Sequence, residues 1–196
     1  MVILLLSFFG CTTLSTVNGA KVIEPKTWKM GLASSVQNNN PISTALGIPV
    51  PQTEVLIRYG LNEHMDMGSR MYLGGGLFDF RYQFLQKGDW YFAVDPSIGG
   101  LYAPIGGVVD IRMPLIAQKD LNEKWSFATG MTPISQNTFA FLPNIRENMK
   151  HNSMGVFIRM EKTGKRLKWG FSTDIYERTS QGLLPSVNFG IDVSQK

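Results

Sequence analysis

The chain has little cysteine, little histidine and no long apolar run. Its 196 residues include one cysteine and two histidines; the histidines stand apart from each other, and scattered aspartates are not a ligand set, so no metal centre or cofactor is expected. Charged residues make up 17% of the chain, with a formal net charge of +4. That excess is weak, and no basic run or aromatic-basic stripe accompanies it, so nucleic acid is not an expected partner. A helical membrane span needs about 20 consecutive apolar residues, and none is present. Mean hydropathy near neutral still permits a transmembrane barrel, because alternating strands average out. The length suits one domain, or one domain and a tail.

What the chain does have is a two-residue rhythm. In FDFRYQF, Phe78, Phe80, Tyr82 and Phe84 alternate with Asp79, Arg81 and Gln83, so an extended chain shows an aromatic wall on one side and a charged one on the other. In a soluble sandwich the aromatic wall is core. In a membrane barrel it meets lipid, and the charges fill the lumen.

The same rhythm recurs from Trp28 onward with hairpin turn signals between. It predicts strands over Thr27–Ser35, Thr53–Gly60, Met65–Leu73, Phe78–Leu85, Trp90–Asp95, Val108–Ala117, Trp125–Thr132, Met154–Glu161, Leu167–Tyr176 and Pro185–Ser194. No segment between them offers an amphipathic helix. One face is apolar throughout. The other carries Glu54, Arg58, Asp66, Arg70, Asp79, Arg81, Asp95, Asp110, Arg112, Arg159, Glu161, Lys168, Asp174 and Asp192 among small residues. The class is all-β, an antiparallel up-and-down transmembrane β-barrel of about ten strands, with eight as the alternative. Charges of both signs on the inward face allow cross-strand pairing, and barrels of this size have interiors that side chains can fill.

Two further signals favour the membrane. The connections Val36–Gln52, Pro96–Gly107 and Pro133–Ser153 are long and stand at odd positions in the series, whereas every even connection is short. Short periplasmic turns and longer external loops have that asymmetry. Trp28, Trp90, Trp125 and Trp169 open strands that run in one direction and point to the apolar face, as an aromatic girdle at one membrane interface requires.

At the amino terminus, Val2–Phe9 is an apolar run too short to span a bilayer but suited to a secretory signal. Gly10 and Cys11 follow it, and this ending resembles the lipobox of bacterial prolipoproteins. The resemblance implies lipidation of Cys11 after loss of residues 1–10, and Thr12 in the next position implies the outer membrane by that family's sorting rule. Thr12–Pro25 is polar and aperiodic, which predicts a tether over 11–26 ahead of a barrel domain over 27–196.

The hairpin VLIRYGLNEHMDMGSRMYLGG and the following FDFRYQFL resemble the style of bacterial outer-membrane β-barrel proteins over Trp28–Val193. That resemblance implies an outer-membrane barrel with external loops at the cell surface and membrane lipid as its partner. It names no protein or small-molecule partner. His151 and Ser153 in KHNSMG resemble the His-x-Ser pairing of outer-membrane lipid A deacylases, with Glu161 as a distant acid, but catalysis needs the three within mutual reach. His64 reads as a solvated turn residue beside Glu63. The leading expectation is a small lipid-anchored barrel without enzymatic activity and with a structural or surface-interaction role, using Val36–Gln52 and Pro133–Ser153 as contact surface. A narrow channel is the second, and a tethered lipocalin-like barrel with its apolar face turned inward is the third.

Overall fold

The computed structural model describes residues 19–37, 50–72, 74–103, 106–140, 148–163, 167–178 and 182–194. Alternation of apolar and polar residues drives almost all of them into strands. These are β1 (Trp28–Gln37), β2 (Val50–Asn62), β3 (Met65–Tyr72), β4 (Gly75–Lys87), β5 (Trp90–Val94), β6 (Ser97–Ala103), β7 (Gly106–Arg112), β8 (Leu115–Asp120), β9 (Trp125–Ala140), β10 (Asn148–Thr163), β11 (Leu167–Arg178) and β12 (Gly182–Ser194). All belong to one antiparallel sheet.

Two pairs of segments are halves of single strands. Asp95 and Pro96 separate β5 from β6, and Met113 and Pro114 separate β7 from β8, yet the register runs through both breaks. Val94 faces Leu115 and Ser97 faces Arg112; Leu115 faces Met131 and Arg112 faces Ile134. Proline has no N–H to donate, but its carbonyl still accepts. The Phe80 amide donates to Pro96 O at 3.0 Å, the Asp95 amide to Pro114 O at 3.0 Å and the Met113 amide to Pro133 O at 3.1 Å. So counted, the wall has about ten continuous strands, not eight.

The wall closes. Each strand pairs with the next along the chain, and β1 pairs with β12 over Lys29–Gln37. Paired residues followed from Trp28 through Tyr59, Met67 and Phe80, and later through Met154, Glu177 and Leu183, run past the last β1–β12 pair, Gln37 with Ser186, and do not return to Trp28. Such a stagger accompanies a strand tilt of roughly 35–45° in closed barrels. Closure satisfies the backbone within the wall and leaves no edge, which a hydrocarbon environment demands.

The outer face is apolar and exposed. Phe78, Tyr82 and Phe84 point out with Phe80 half-buried between them, and so do Trp28, Met30 and Leu32 on β1 and Met154, Val156, Ile158 and Met160 on β10. The intervening residues are buried inside, with Asp66 at 0% and Asp79 at 1% exposure. Soluble monomers rarely expose so much contiguous apolar surface; the fold is a transmembrane barrel. The lipocalin-like alternative is overturned here, because it requires the apolar face to line the interior and that face lies outside.

The structure also corrects the long connections. Ser97–Ala103 is β6, Pro133–Ala140 continues β9, and Asn148–Ser153 begins β10. Only 104–105 and 141–147 are left between those strands, and 38–49 between β1 and β2. The prolines and glycines of these stretches read as breakers, but the carbonyl hydrogen bonds carry the ladder past Pro96 and Pro133. Most of the expected external loops Pro96–Gly107 and Pro133–Ser153 is therefore barrel wall.

Candidate functional site in the barrel lumen

The inward positions of β2, β3 and β4, with Asp95 just after β5, bring three arginines and three aspartates together. Arg58 on β2 pairs with Asp66 on β3 and Asp79 on β4, and its Nη2 lies 3.7 Å from Asp95 Oδ1. Arg81 grips Asp66 with two donors, Nη2 to Oδ2 at 2.6 Å and Nε to Oδ1 at 3.1 Å. Arg70 Nε stands 3.7 Å from Asp79 Oδ2. Register explains the meeting, since Asp66 faces Arg81 directly and Gly68 faces both Arg58 and Asp79. A glycine at the crossing leaves the room in which the Arg58 guanidinium lies.

Two smaller pairs lie elsewhere in the described interior. Arg112 Nη2 meets Asp110 Oδ2 at 2.7 Å, and Arg159 Nη2 meets Glu161 Oε1 at 2.6 Å, with the Ser126 hydroxyl donating to Glu161 Oε2 at 3.3 Å. Glu54 is also fully buried. Buried charges are costly unless paired and hydrogen-bonded, and alternating signs over adjacent strands answer that cost. A cavity of about 30 Å³ lies between Arg58, Arg70, Arg81 and Glu161, room for a water or two.

The segment expected to be a tether enters this lumen. Gly19 and Ala20 are buried, and the amides of four successive residues donate to side chains of the wall. Ala20 N and Lys21 N reach Gln118 Oε1 at 2.8 and 3.3 Å, Val22 N reaches Gln83 Oε1 at 3.3 Å, and Ile23 N reaches Asp66 Oδ2 at 3.0 Å. Arg81 donates to the Gly19 carbonyl. Ala20 packs with Tyr91, Ala93, Ile116, Ala128 and Phe157 in the main apolar cluster of the interior. A turn at Glu24–Thr27, with the Lys26 amide donating to Gly60 O at 2.8 Å, returns the chain to the rim and into β1. At the rim Lys21 Nζ pairs with Asp120 Oδ2 at 3.0 Å. Burial pulls the Lys21 pKa down, but the hydrogen bond and attraction to Asp120, with a smaller contribution from Tyr91, leave it above the ordinary lysine value.

Trp28, Trp90 and Trp125, expected to form a girdle, are the first residues of β1, β5 and β9 and lie at the end of the barrel where this segment enters. Trp28 packs on Tyr59 with ring centroids 4.6 Å apart. Lys119 Nζ lies 5.4 Å above Trp90 and Lys162 Nζ lies 5.3 Å above Trp125. Cations beside interfacial rings suit the lipid headgroup level.

Other candidates are not brought together. Ser153 and Glu161 share the inward face of β10 but stand eight residues apart, roughly 26 Å at a strand's rise, and Glu161 is committed to Arg159 and Ser126. The triad of His151, Ser153 and Glu161 is therefore not assembled. His64 is exposed in the turn between β2 and β3. Cys11 lies outside the described residues, as do the side chains of His151, Lys168, Trp169 and Asp174. Among the described residues no group of three or more His, Cys, Asp or Glu is placed to hold a metal ion.

Sequence reasoning passed over Gln118 and Tyr91, and gave Gln83 no task. Gln83 and Tyr91 share inward parity on strands expected from the sequence, and Gln118 stands one residue past the end expected at Ala117, but nothing in the pattern announces that Gly19–Ile23 comes to meet them.

No protein-family model matches the chain, and no curated protein matches it. Among solved structures it is similar to several bacterial outer-membrane β-barrels. The N-terminal β-barrel domain of Pseudomonas aeruginosa OprF is 7% identical, with a TM-score of 0.43 over 88% of this chain and 100% of that one. Ail, the attachment invasion locus protein of Yersinia pestis, is 11% identical, with a TM-score of 0.39 over 88% and 100%. The outer membrane protease OmpT of Escherichia coli is 8% identical, with a TM-score of 0.41 over 93% and 99%.

Proposed function

We propose that this chain is a small outer-membrane barrel with a structural or surface-interaction role, anchored by lipid at Cys11 and closed inside by its ionic network and its own amino-terminal segment. The observation that carries this reading is the entry of Gly19–Ile23 into the mouth, where wall side chains bind its backbone and Arg81 joins it to the Asp66 carboxylate. A lumen crossed by these ion pairs and by Gly19–Ile23 is expected to resist ion flow. The apolar belt supports membrane lipid as the constant partner. Activity as an enzyme has no assembled nucleophile, base and acid among the described side chains to support it.

The test is to express the full chain in a Gram-negative host, compare the mobility of unboiled and boiled membrane fractions, and record conductance of the purified protein in planar bilayers. A shift on boiling with no steady conductance is the expected result. Steady channels from the unaltered protein would replace this reading with that of a narrow pore. Labelling with a radioactive fatty acid, abolished by Cys11→Ala, is expected for the anchor; unlabelled protein would remove the lipoprotein part alone.

A further inference from the structure

We propose that the mouth of the barrel is a built site for a short peptide bent at its second residue, which Gly19–Ile23 occupies in cis as a dissociable latch. This deepens the closed-lumen reading and rests on it.

The site reads backbone. Amides of Ala20, Lys21, Val22 and Ile23 each meet a side-chain oxygen fixed on a strand, namely Gln118 on β8, Gln83 on β4 and Asp66 on β3, while Arg81 on β4 donates to the Gly19 carbonyl. A segment of another sequence with the same bend, which turns two successive amides onto Gln118 Oε1, offers the same groups, so these contacts do not depend on which chain supplies them.

Side-chain selectivity sits at the first two residues. A Cβ on Gly19 would collide with Gln118 Oε1, and Ala20 is fully buried against Tyr91, Ala93, Ile116, Ala128 and Phe157. After this small pair comes a cation, with Lys21 Nζ at Asp120 and 4.8 Å above the Tyr91 ring. Beyond it the grip weakens. Val22 and Ile23 are half-buried and Glu24 is exposed, which leaves the dipeptide as the anchor. The ligand class is therefore a peptide with a Gly-Ala pair, bent at the alanine and followed by a basic residue.

Wall and segment share Asp66 and Arg81, but the strands keep ion pairs and a backbone ladder to which the segment does not contribute, which makes release compatible with an intact barrel. Gln118 and Gln83 bind the segment through single oxygens, whereas Asp66 has Arg58 and Arg81 as partners within the wall besides the Ile23 amide.

The probe is a fluorescent synthetic peptide of sequence GAKVIEPKT, titrated onto the detergent-purified full chain. Ala20→Trp, too large for the pocket, releases the latch, and that variant is expected to bind the peptide at least tenfold more tightly than the unaltered protein. Adding Gln118→Ala to it is expected to lower peptide affinity at least tenfold. Equal binding by the unaltered protein and by a heat-modifiable Ala20→Trp variant, or no binding by either, overturns the proposal. Amide exchange in the unaltered protein gives a second measurement that needs no variant. Ala20–Ile23 should exchange more slowly than in the free peptide and faster than the amides of β3 and β4. Exchange at the free-peptide rate overturns the site, and exchange as slow as the strands overturns the latch. Absence of a heat shift in the unaltered protein would instead overturn the barrel reading beneath it.

Discussion

Gly68 on β3 leaves open the space that the Arg58 guanidinium fills. A Cβ at Gly68 would stand 2.9 Å from Arg58 Nη2 and 2.8 Å from Asp79 Oδ1. The glycine is required by side-chain room and not by backbone angle. Gly68→Val is expected to push Arg58 off its carboxylates and to lower stability by about 3 kcal/mol, the scale of a broken buried pair. A lower midpoint in urea unfolding checks it; an unchanged midpoint would mean that Arg58 has an equally good alternative position.

Asp66 and Asp120 offer a contrast between a buried and an exposed carboxylate. Asp66 accepts from Arg58, Arg81 and the Ile23 amide with no exposure to solvent, so Asp66→Asn is expected to cost about 3–5 kcal/mol. Asp120 holds only the half-exposed Lys21 in the described structure, so Asp120→Asn is expected to cost less than about 1 kcal/mol. The Lys21 link has its own pH dependence. With its pKa raised, the contribution is complete below the ordinary lysine pKa and is lost as pH rises through the elevated one. Unfolding midpoints of the two variants, compared at neutral and alkaline pH, check both statements.

Ile158 points outward from the middle of β10 and is exposed. In a bilayer that position is hydrocarbon, and Ile158→Arg is expected to destabilise by about 2–4 kcal/mol. Lys150, exposed near the far end of the same strand, lies beyond the apolar run, and Lys150→Glu is expected to stay within about 0.5 kcal/mol. Refolding titrations into lipid vesicles distinguish the two, and equal tolerance at both positions would remove the membrane assignment of the belt.

Lys26 adopts a left-handed conformation, with φ 61°, directly after Pro25 in the turn that returns the chain to β1. A turn with proline second and positive φ third favours glycine in the third place. Lys26→Gly is expected to relieve about 1 kcal/mol of strain and to slow amide exchange at Thr27. Faster exchange there would show that the lysine side chain stabilises the turn.

The strand count, the alternation and the sense of each face were legible in the sequence because each rests on a period of two. Phe78–Phe84 and Met154–Met160 carry that period without interruption. Ser97–Ala103 and Pro133–Ala140 do not, since glycine blurs the alternation and proline reads as an end, and only the accepting carbonyls of Pro96 and Pro133 reveal the continuity. The meeting of Arg58 with Asp66 and Asp79 needed the register, which periodicity does not give. The seating of Gly19–Ile23 was illegible for a different reason. Its hydrogen bonds go to side chains and not to a neighbouring strand, so the segment has no pattern to show.

The pairing of β1 with β12 has a kinetic meaning. Every other contact in the wall joins strands that follow one another along the chain, but this one joins Met30 to Val193. Loop-closure entropy opposes such a contact more than any hairpin, and long-range pairing is the slow kind. The zipper of hairpins from β2 to β12 can form early; the ring waits for its two ends. An intermediate with every turn made and this one seam open is the species on which chaperones or the host's insertion machinery would act, and its lifetime sets how long the two unpaired strand edges stay open to aggregation.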